Sequence, residues 1–214
     1  LAVIDERPVA LIGIDRGHEE EAERMRGGRP LPEGYRKARR LMELAGRFGI
    51  PVVTIIDTPG AYPGIESEER GLAGEIAKSM ALMSDLPVPI VTAITGEGGS
   101  GGALALAVAD RVLIQERAIY SVIAPEGAAA ILFRDASRAA EVAEQLRLTA
   151  PDIVAAGIAD EIVPEPDGSA ASDPDVSMSN SRDLRHAVTG RSNAKRPPKG
   201  PSGRVIGMAD RRIT

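Results

Sequence analysis

Cysteine and tryptophan are absent from this 214-residue chain, histidine occurs twice, and aromatic residues make up only 2%. Without cysteine there can be no disulfide, no zinc ribbon and no thiol nucleophile, and a reducing, cytoplasmic setting fits. No apolar run approaches the ~18 residues that a membrane-spanning helix needs. No basic-then-apolar leader opens the sequence, so neither a membrane span nor a secretory signal is expected. The chain starts on Leu1 and runs at once into strand-like sequence; we expect the natural chain to begin further upstream, or at a non-standard codon. Hydrophobic residues make up 43%, so a core can form, but it must consist of Ala, Val, Ile and Leu.

The net charge of −5 hides a split. Residues 1–166 carry 17 basic and 26 acidic side chains, whereas residues 167–214 carry 9 basic and 5 acidic ones. An acidic body argues against a nucleic-acid-binding surface. Residues 167–214 are rich in Ser, Asn, Pro, Arg and Lys and sustain no helical or strand period. They read as a disordered basic tail on a single domain spanning residues 1–166.

Within that domain, strands and helices alternate. Residues 9–14 (VALIGI), 51–56 (PVVTII) and 89–95 (PIVTAIT) read as buried strands, with shorter ones near 111–114, 118–123 and 161–163. Residues 16–32 read as a surface loop or frayed helix. Tyr35, Ala38, Met42, Ala45 and Phe48 recur at helical spacing, and Leu72, Ile76, Met80 and Met83 mark a second helix face. Pro125 suits the first turn of a short helix over 126–133, and Asp135 or Ser137 could cap the next. Strands apolar on both faces, separated by helices, imply an α/β fold with a parallel sheet.

Two turns stand out for chemistry. Residues 94–107 (ITGEGGSGGALALA) join a strand to a helix through a glycine-dense segment. Such a turn leaves backbone N–H groups unpaired, with no Cβ to block a ligand, and suits a phosphate or a developing oxyanion. One strand–helix unit earlier, residues 57–64 (DTPGAYPG) have similar character. The segment Asp57-Thr58-Pro59-Gly60 imitates a GTPase element, but no Gly-x-x-x-x-Gly-Lys-Ser/Thr loop exists to hold phosphates. Residues 98–102 (GGSGG) satisfy Gly-x-Ser-x-Gly, so a serine hydrolase using Ser100 is one alternative. Its base would have to be His18, His186 or a lysine such as Lys78. The remaining reading needs no side-chain nucleophile: two sets of backbone donors stabilise two oxyanions during acyl or carboxyl transfer.

Three long segments sharpen that reading: PEGYRKARRLMELAGRFGIPVVTIIDTPGAYPGIESEERG (32–71), GEGGSGGALALAVADRV (96–112) and YSVIAPEGAAAIL (120–132). In this order they closely resemble the α subunit family of bacterial acetyl-CoA carboxylase carboxyltransferase, from about Arg7 to Pro166. The resemblance implies a crotonase (ClpP-like) fold, a β–β–α spiral superhelix. It implies transfer of CO2 from carboxybiotin, held on the biotin carboxyl carrier protein, to acetyl-CoA, giving malonyl-CoA for fatty-acid synthesis. It also implies a zinc-containing β subunit as partner in an α2β2 assembly, with no metal in this chain. Residue by residue, it places the biotin oxyanion at the amides of Gly101, Gly102 and Ala103, with Gly60 and Ala61 completing the site. Tyr62, Tyr120, Ser121, Pro125 and Gly127 would line the pocket, and Arg36, Lys37, Arg39 and Arg40 could meet CoA phosphates. The family's helical extension before the first strand is missing, and the sequence after Pro166 does not look like its C-terminal helices. An inactive interaction module that binds the β subunit or the carrier protein is the alternative outside enzymology.

Overall fold

The computed structural model describes residues 1–165 apart from Asp5, His18 and Glu19. The expected tail and both histidines therefore lie outside the described residues. Five parallel strands lie side by side in chain order: β2 (Arg7–Gly13), β3 (Val52–Thr58), β4 (Ile90–Gly99), β5 (Arg111–Gln115) and β7 (Glu161–Val163). A short strand β1 (Ala2–Ile4) adds antiparallel to β2, and β6 (Ile119–Ser121) pairs with the far end of β4. Near-continuous Val, Ile and Ala in β3 and β4 is what a sheet covered on both faces demands. Val9, Val53, Val91, Leu113 and Val163 form one core layer. Ala10, Val52, Ile56, Ile90, Ile94 and Ile114 join the larger core on the other.

That larger core is closed by α2 (Pro32–Phe48) and α4 (Leu72–Asp85), with α5 (Ser100–Leu104) beneath them. Helix α2 buries Tyr35, Ala38, Met42 and Ala45 and has Pro32 in its first turn. It ends where Gly49 takes a left-handed φ of 67° and returns its N–H to the Ala45 carbonyl. Phe48, expected on the buried stripe, is instead exposed, because at 3.6 residues per turn it falls off the face that Tyr35, Ala38, Met42 and Ala45 bury. In α4 the buried residues are Leu72, Glu75, Ser79 and Met83, not the purely apolar face expected. The reason is polar: Arg39 of α2 donates to the Glu75 carboxylate and to the Glu75 carbonyl at 3.0 Å, so the two helices meet through an ion pair.

Around this body sit α1 (Glu20–Arg24), α3 (Ile65–Glu69), α6 (Pro125–Phe133), α7 (Ala139–Leu146) and α8 (Ala150–Ala155). Helix α1 occupies the segment read as loop or frayed helix. Asp135 caps a single 3-10 turn, Ala136–Arg138, accepting from the Ser137 N–H at 3.0 Å. Helices α6 and α7 share a small satellite cluster, Ala128, Ala129 and Val142. No helix among the described residues is long and apolar enough to cross a membrane.

Candidate functional site

The sheet brings the two glycine-bearing turns together. Strands β3 and β4 are neighbours, so the segments leaving their C-terminal ends must emerge side by side. The glycine segment is not a loop. Strand β4 continues through Gly98 and Gly99, which pair with Tyr120 and Ser121 of β6, and the helix begins at the very next residue. Helix α5 is short, closing at Leu104. With no connecting residues, Ser100 absorbs the change of direction at a φ of 53°. A non-glycine residue there costs about 1–2 kcal/mol, and such strain concentrates at functional sites.

Glycine is required where the turns touch. A Cβ on Gly102 would overlap the Ala61 nitrogen and stand 2.6 Å from the Gly60 carbonyl carbon. One on Gly99 would overlap the Pro59 carbonyl and lie 2.9 Å from the Gly60 nitrogen. Gly60 itself has a φ of 136°, which only glycine adopts readily. Of the expected residues, Gly60, Ala61 and Gly102 therefore form one junction of two backbones; Gly101 and Ala103 flank it in α5, and a Cβ on Gly101 would face Ile76 at 3.8 Å.

Their donors are not equivalent. Gly60 donates its N–H to Thr58 Oγ1 at 3.0 Å, and the same hydroxyl donates to the Gly60 carbonyl at 2.9 Å. That amide is occupied within its own turn. Ala61 donates to no acceptor among the described residues. In α5, capped by Gly99, the first intrahelical bond falls to the Ala103 N–H, which leaves Ser100, Gly101 and Gly102 as the donors without helical partners. Ser100, Gly101, Gly102 and Ala61 are thus the amides at these turns without a partner among the described residues.

The junction is clamped by residues the sequence reading missed. Buried Tyr35 donates its hydroxyl to the Gly102 carbonyl at 3.0 Å. Burial pushes the Tyr35 hydroxyl far above its usual value, so it stays a donor throughout the accessible pH range. At the other end of α5, Thr54 and Thr92 both donate to the Leu106 carbonyl, at 2.8 and 3.1 Å. Below the turns, Asp57 Oδ1 accepts from the Glu97 N–H and from Arg16, both at 2.9 Å, bridging the irregularity in the β3–β4 pairing at Ile56/Thr58. Tyr35→Phe should cost about 1–3 kcal/mol, because it leaves a buried carbonyl unpaired. A urea unfolding midpoint equal to that of the parent chain would show that Tyr35 clamps nothing.

The pocket-lining residues divide. Tyr120 packs its ring on Gly98, where a Cβ would lie 2.5 Å away, and burial raises its hydroxyl above the ordinary value. Ser121 sits opposite Gly99 and donates to the Ile123 carbonyl at 2.8 Å. Tyr62 is half-buried, ties its N–H to the Pro30 carbonyl, and carries the Arg26 guanidinium 5.3 Å from its ring centre. Pro125 and Gly127 lie on α6, whose packing is toward α7, and reach the junction only through the Ser121–Ile123 turn. Of the basic residues on α2, Arg36 and Arg39 turn toward α4 and its Glu75, so they do not form the expected phosphate patch. Lys37 and Arg40 are exposed. Lys78, a candidate base, is ion-paired to Glu75 at 3.1 Å. Among the described residues nothing hydrogen-bonds the Ser100 side chain.

Known proteins are similar to this chain in sequence and in fold. The acetyl-coenzyme A carboxylase carboxyl transferase subunit alpha of Thermus thermophilus is 56% identical over 181 residues, 84% of this chain and 58% of that protein. In Parafrankia sp. the similar protein is a combined beta/alpha chain, 52% identical over 191 residues, 89% of this chain and 31% of that one. The chain therefore spans a little over half the length of the separate alpha-subunit relatives it matches. Among solved structures, the Pseudomonas malonate decarboxylase MdcD-MdcE hetero-dimer overlays with a TM-score of 0.70 at 18% identity, covering 88% of this chain and 78% of that one. The α/β fold is crotonase-like. The acetyl co-enzyme A carboxylase carboxyltransferase-like family model matches residues 1–195, passing well beyond Pro166, where the resemblance was read to end. The chain belongs to that family.

Proposed function

We propose that this chain is the carboxyltransferase α component of acetyl-CoA carboxylase, acting with carboxybiotin on the carrier protein and acetyl-CoA bound mainly by a zinc-containing β subunit. An α2β2 assembly in the cytoplasm and a product, malonyl-CoA, that feeds fatty-acid synthesis complete the reading. The observation that carries it is the close backbone junction, where Gly102 meets Gly60 and the Ala61 nitrogen too tightly for any side chain on Gly102. Carboxybiotin, when bound, supplies a transferable carboxylate and a ureido oxygen on which negative charge collects. The residues fit such a group, since a planar oxygen needs close backbone approach and amide donors rather than a cation. Gly101 and Gly102 would hold the oxyanion, Ala61 would complete the cradle, and the Tyr35 clamp would keep the donors aimed before reaction. Tyr62, Tyr120 and Ser121 would shape the walls. Fixed donors need no reorganisation as charge develops, and losing one typically costs ~10²–10³ in rate.

The test mixes the full chain with a β subunit and follows malonyl-CoA decarboxylation with free biotin as acceptor. Turnover that depends on both proteins supports the assignment; binding without turnover points to an interaction module. Ser100→Ala should retain most of that turnover, whereas a hydrolase would lose it and would label at Ser100 with a fluorophosphonate.

A further inference from the structure

Asp57 opens the segment Asp57-Thr58-Pro59-Gly60, which belongs to no phosphate loop, and its carboxylate has a different task. Strands β3 and β4 pair in one register up to Ile56 opposite Ile94, and in another from Thr58 opposite Gly98. Residues 95–97 therefore stand opposite Asp57 alone, a bulge of the kind found beside active sites. In a straight register Thr58 would face Gly96, and the glycine turn would emerge two residues, roughly 6–7 Å, beyond residues 59–61. The bulge thus sets the level at which Gly99 meets Pro59 and Gly102 meets Ala61.

A bulge takes a strand amide out of the ladder. Here the Glu97 N–H finds Asp57 Oδ1 instead, at 2.9 Å. The carboxylate lies where a Gly96 side chain would start, since a Cβ there would stand 2.6 Å from Asp57 Oδ1. From just past β2, Arg16 donates to the same oxygen at 2.9 Å and reaches Glu97 Oε2 at 3.4 Å. The Asp57 and Arg16 side chains are 31% and 39% exposed, so water screens their charges and the acceptor matters more than the ion pair. We infer that Asp57 is a positioning residue for carboxyl transfer: by holding the bulge, it keeps the Gly102 turn level with Ala61. This role presupposes the carboxyltransferase reading, and Asp57 acts through the amide donors rather than on a reactant. Misplaced donors weaken transition-state stabilisation and leave substrate binding in place, so the loss falls on kcat.

The test uses the full chain mixed with a β subunit and follows malonyl-CoA decarboxylation with free biotin. Asp57→Ala should lower kcat at least ~10²-fold, with KM for malonyl-CoA held within about threefold. Asp57→Asn keeps an acceptor for the Glu97 N–H and should bring kcat back to within about tenfold of the parent. Gly96→Ala should lower kcat on its own and add nothing in the Asp57→Ala background, where the carboxylate it strikes is gone. Independently of turnover, the Glu97 amide should exchange hydrogen at least ~tenfold faster in Asp57→Ala than in the parent or in Asp57→Asn. If Asp57→Ala does not fold, Gly96→Ala must still lower kcat with KM held. An unaltered kcat in Asp57→Ala, a loss that falls on KM, or a loss that Asp57→Asn shares in full overturns the inference and leaves the carboxyltransferase reading standing. So do additive effects of Gly96→Ala and Asp57→Ala, or equal Glu97 exchange in all three proteins. A parent mixture without turnover brings down both.

Discussion

Gly102→Val is expected to lower malonyl-CoA decarboxylation by at least ~10³ in the assembled enzyme, the loss of an oxyanion donor together with displacement of its neighbour. The first side-chain carbon would fall on the Ala61 nitrogen and against Gly60, and these atoms are backbone. A flexible side chain could swing away; here a whole turn must shift. Ala61 and Gly102 are both among the unpaired donors, so the displacement strikes the site from both turns. Gly74→Ala is the matched control: a Cβ there meets nothing within 4 Å, and helix propensity should make the variant more stable by about 0.5–1 kcal/mol with activity unchanged. Near-parental turnover in Gly102→Val would remove the junction from the chemistry.

Much of the architecture was legible because strand and helix periods alternate cleanly. The strands over 9–14, 51–56, 111–114 and 161–163 fall within or next to observed ones, and Gly49 ends α2 as its position suggests. What could not be read is nonlocal. Gly96, Gly98 and Gly99 carry no strand preference, yet β4 runs through to Gly99 because β6, some twenty residues later, pairs with it. Glu75 and Ser79 look like an outer helix face until Arg39 arrives from α2. Arg36 and Arg39 looked like a solvent-facing cationic patch for the same reason.

The site was legible in outline and not in its donors. Glycine spacing pointed to Gly60 and Gly102, and the parallel order of β3 and β4 makes their turns meet. No sequence rule shows that Thr58 reaches its own turn and occupies the Gly60 amide. The helix register decides that Ala103 bonds inside α5 while Gly101 and Gly102 do not. Tyr35 left one signal, as one of three tyrosines in a chain almost without aromatics, on an otherwise aliphatic stripe. A tyrosine buried in such a core needs a partner for its hydroxyl, and it finds Gly102.

Because Tyr35 rides on α2, the α2–α4 contact governs the junction as well as the fold, and Glu75 is its centre. Burial alone would raise the Glu75 carboxyl. Hydrogen bonds from Arg39 and Lys78, with the charges of Arg39 and Arg36, outweigh it and hold the group below its ordinary value of 4.5. Glu75→Ala leaves the Arg39 guanidinium, only 15% exposed, without its carboxylate. The expected loss is about 3 kcal/mol, near the low end for a broken buried pair, since water screens the exposed shares of Arg36 and Lys78. Glu75→Gln should lose less, keeping an acceptor without the charge. A carboxyl lowered by folding contributes stability that is complete above the unfolded value and disappears as pH falls through the folded one. The gap in urea midpoint between the parent chain and Glu75→Gln should therefore be widest at neutral pH and close as pH drops below 4.5. A gap that stays constant across that window would mean the glutamate is held by packing and not by its charge. In that case Glu75→Gln would leave Tyr35, and with it the aim of Gly102, undisturbed.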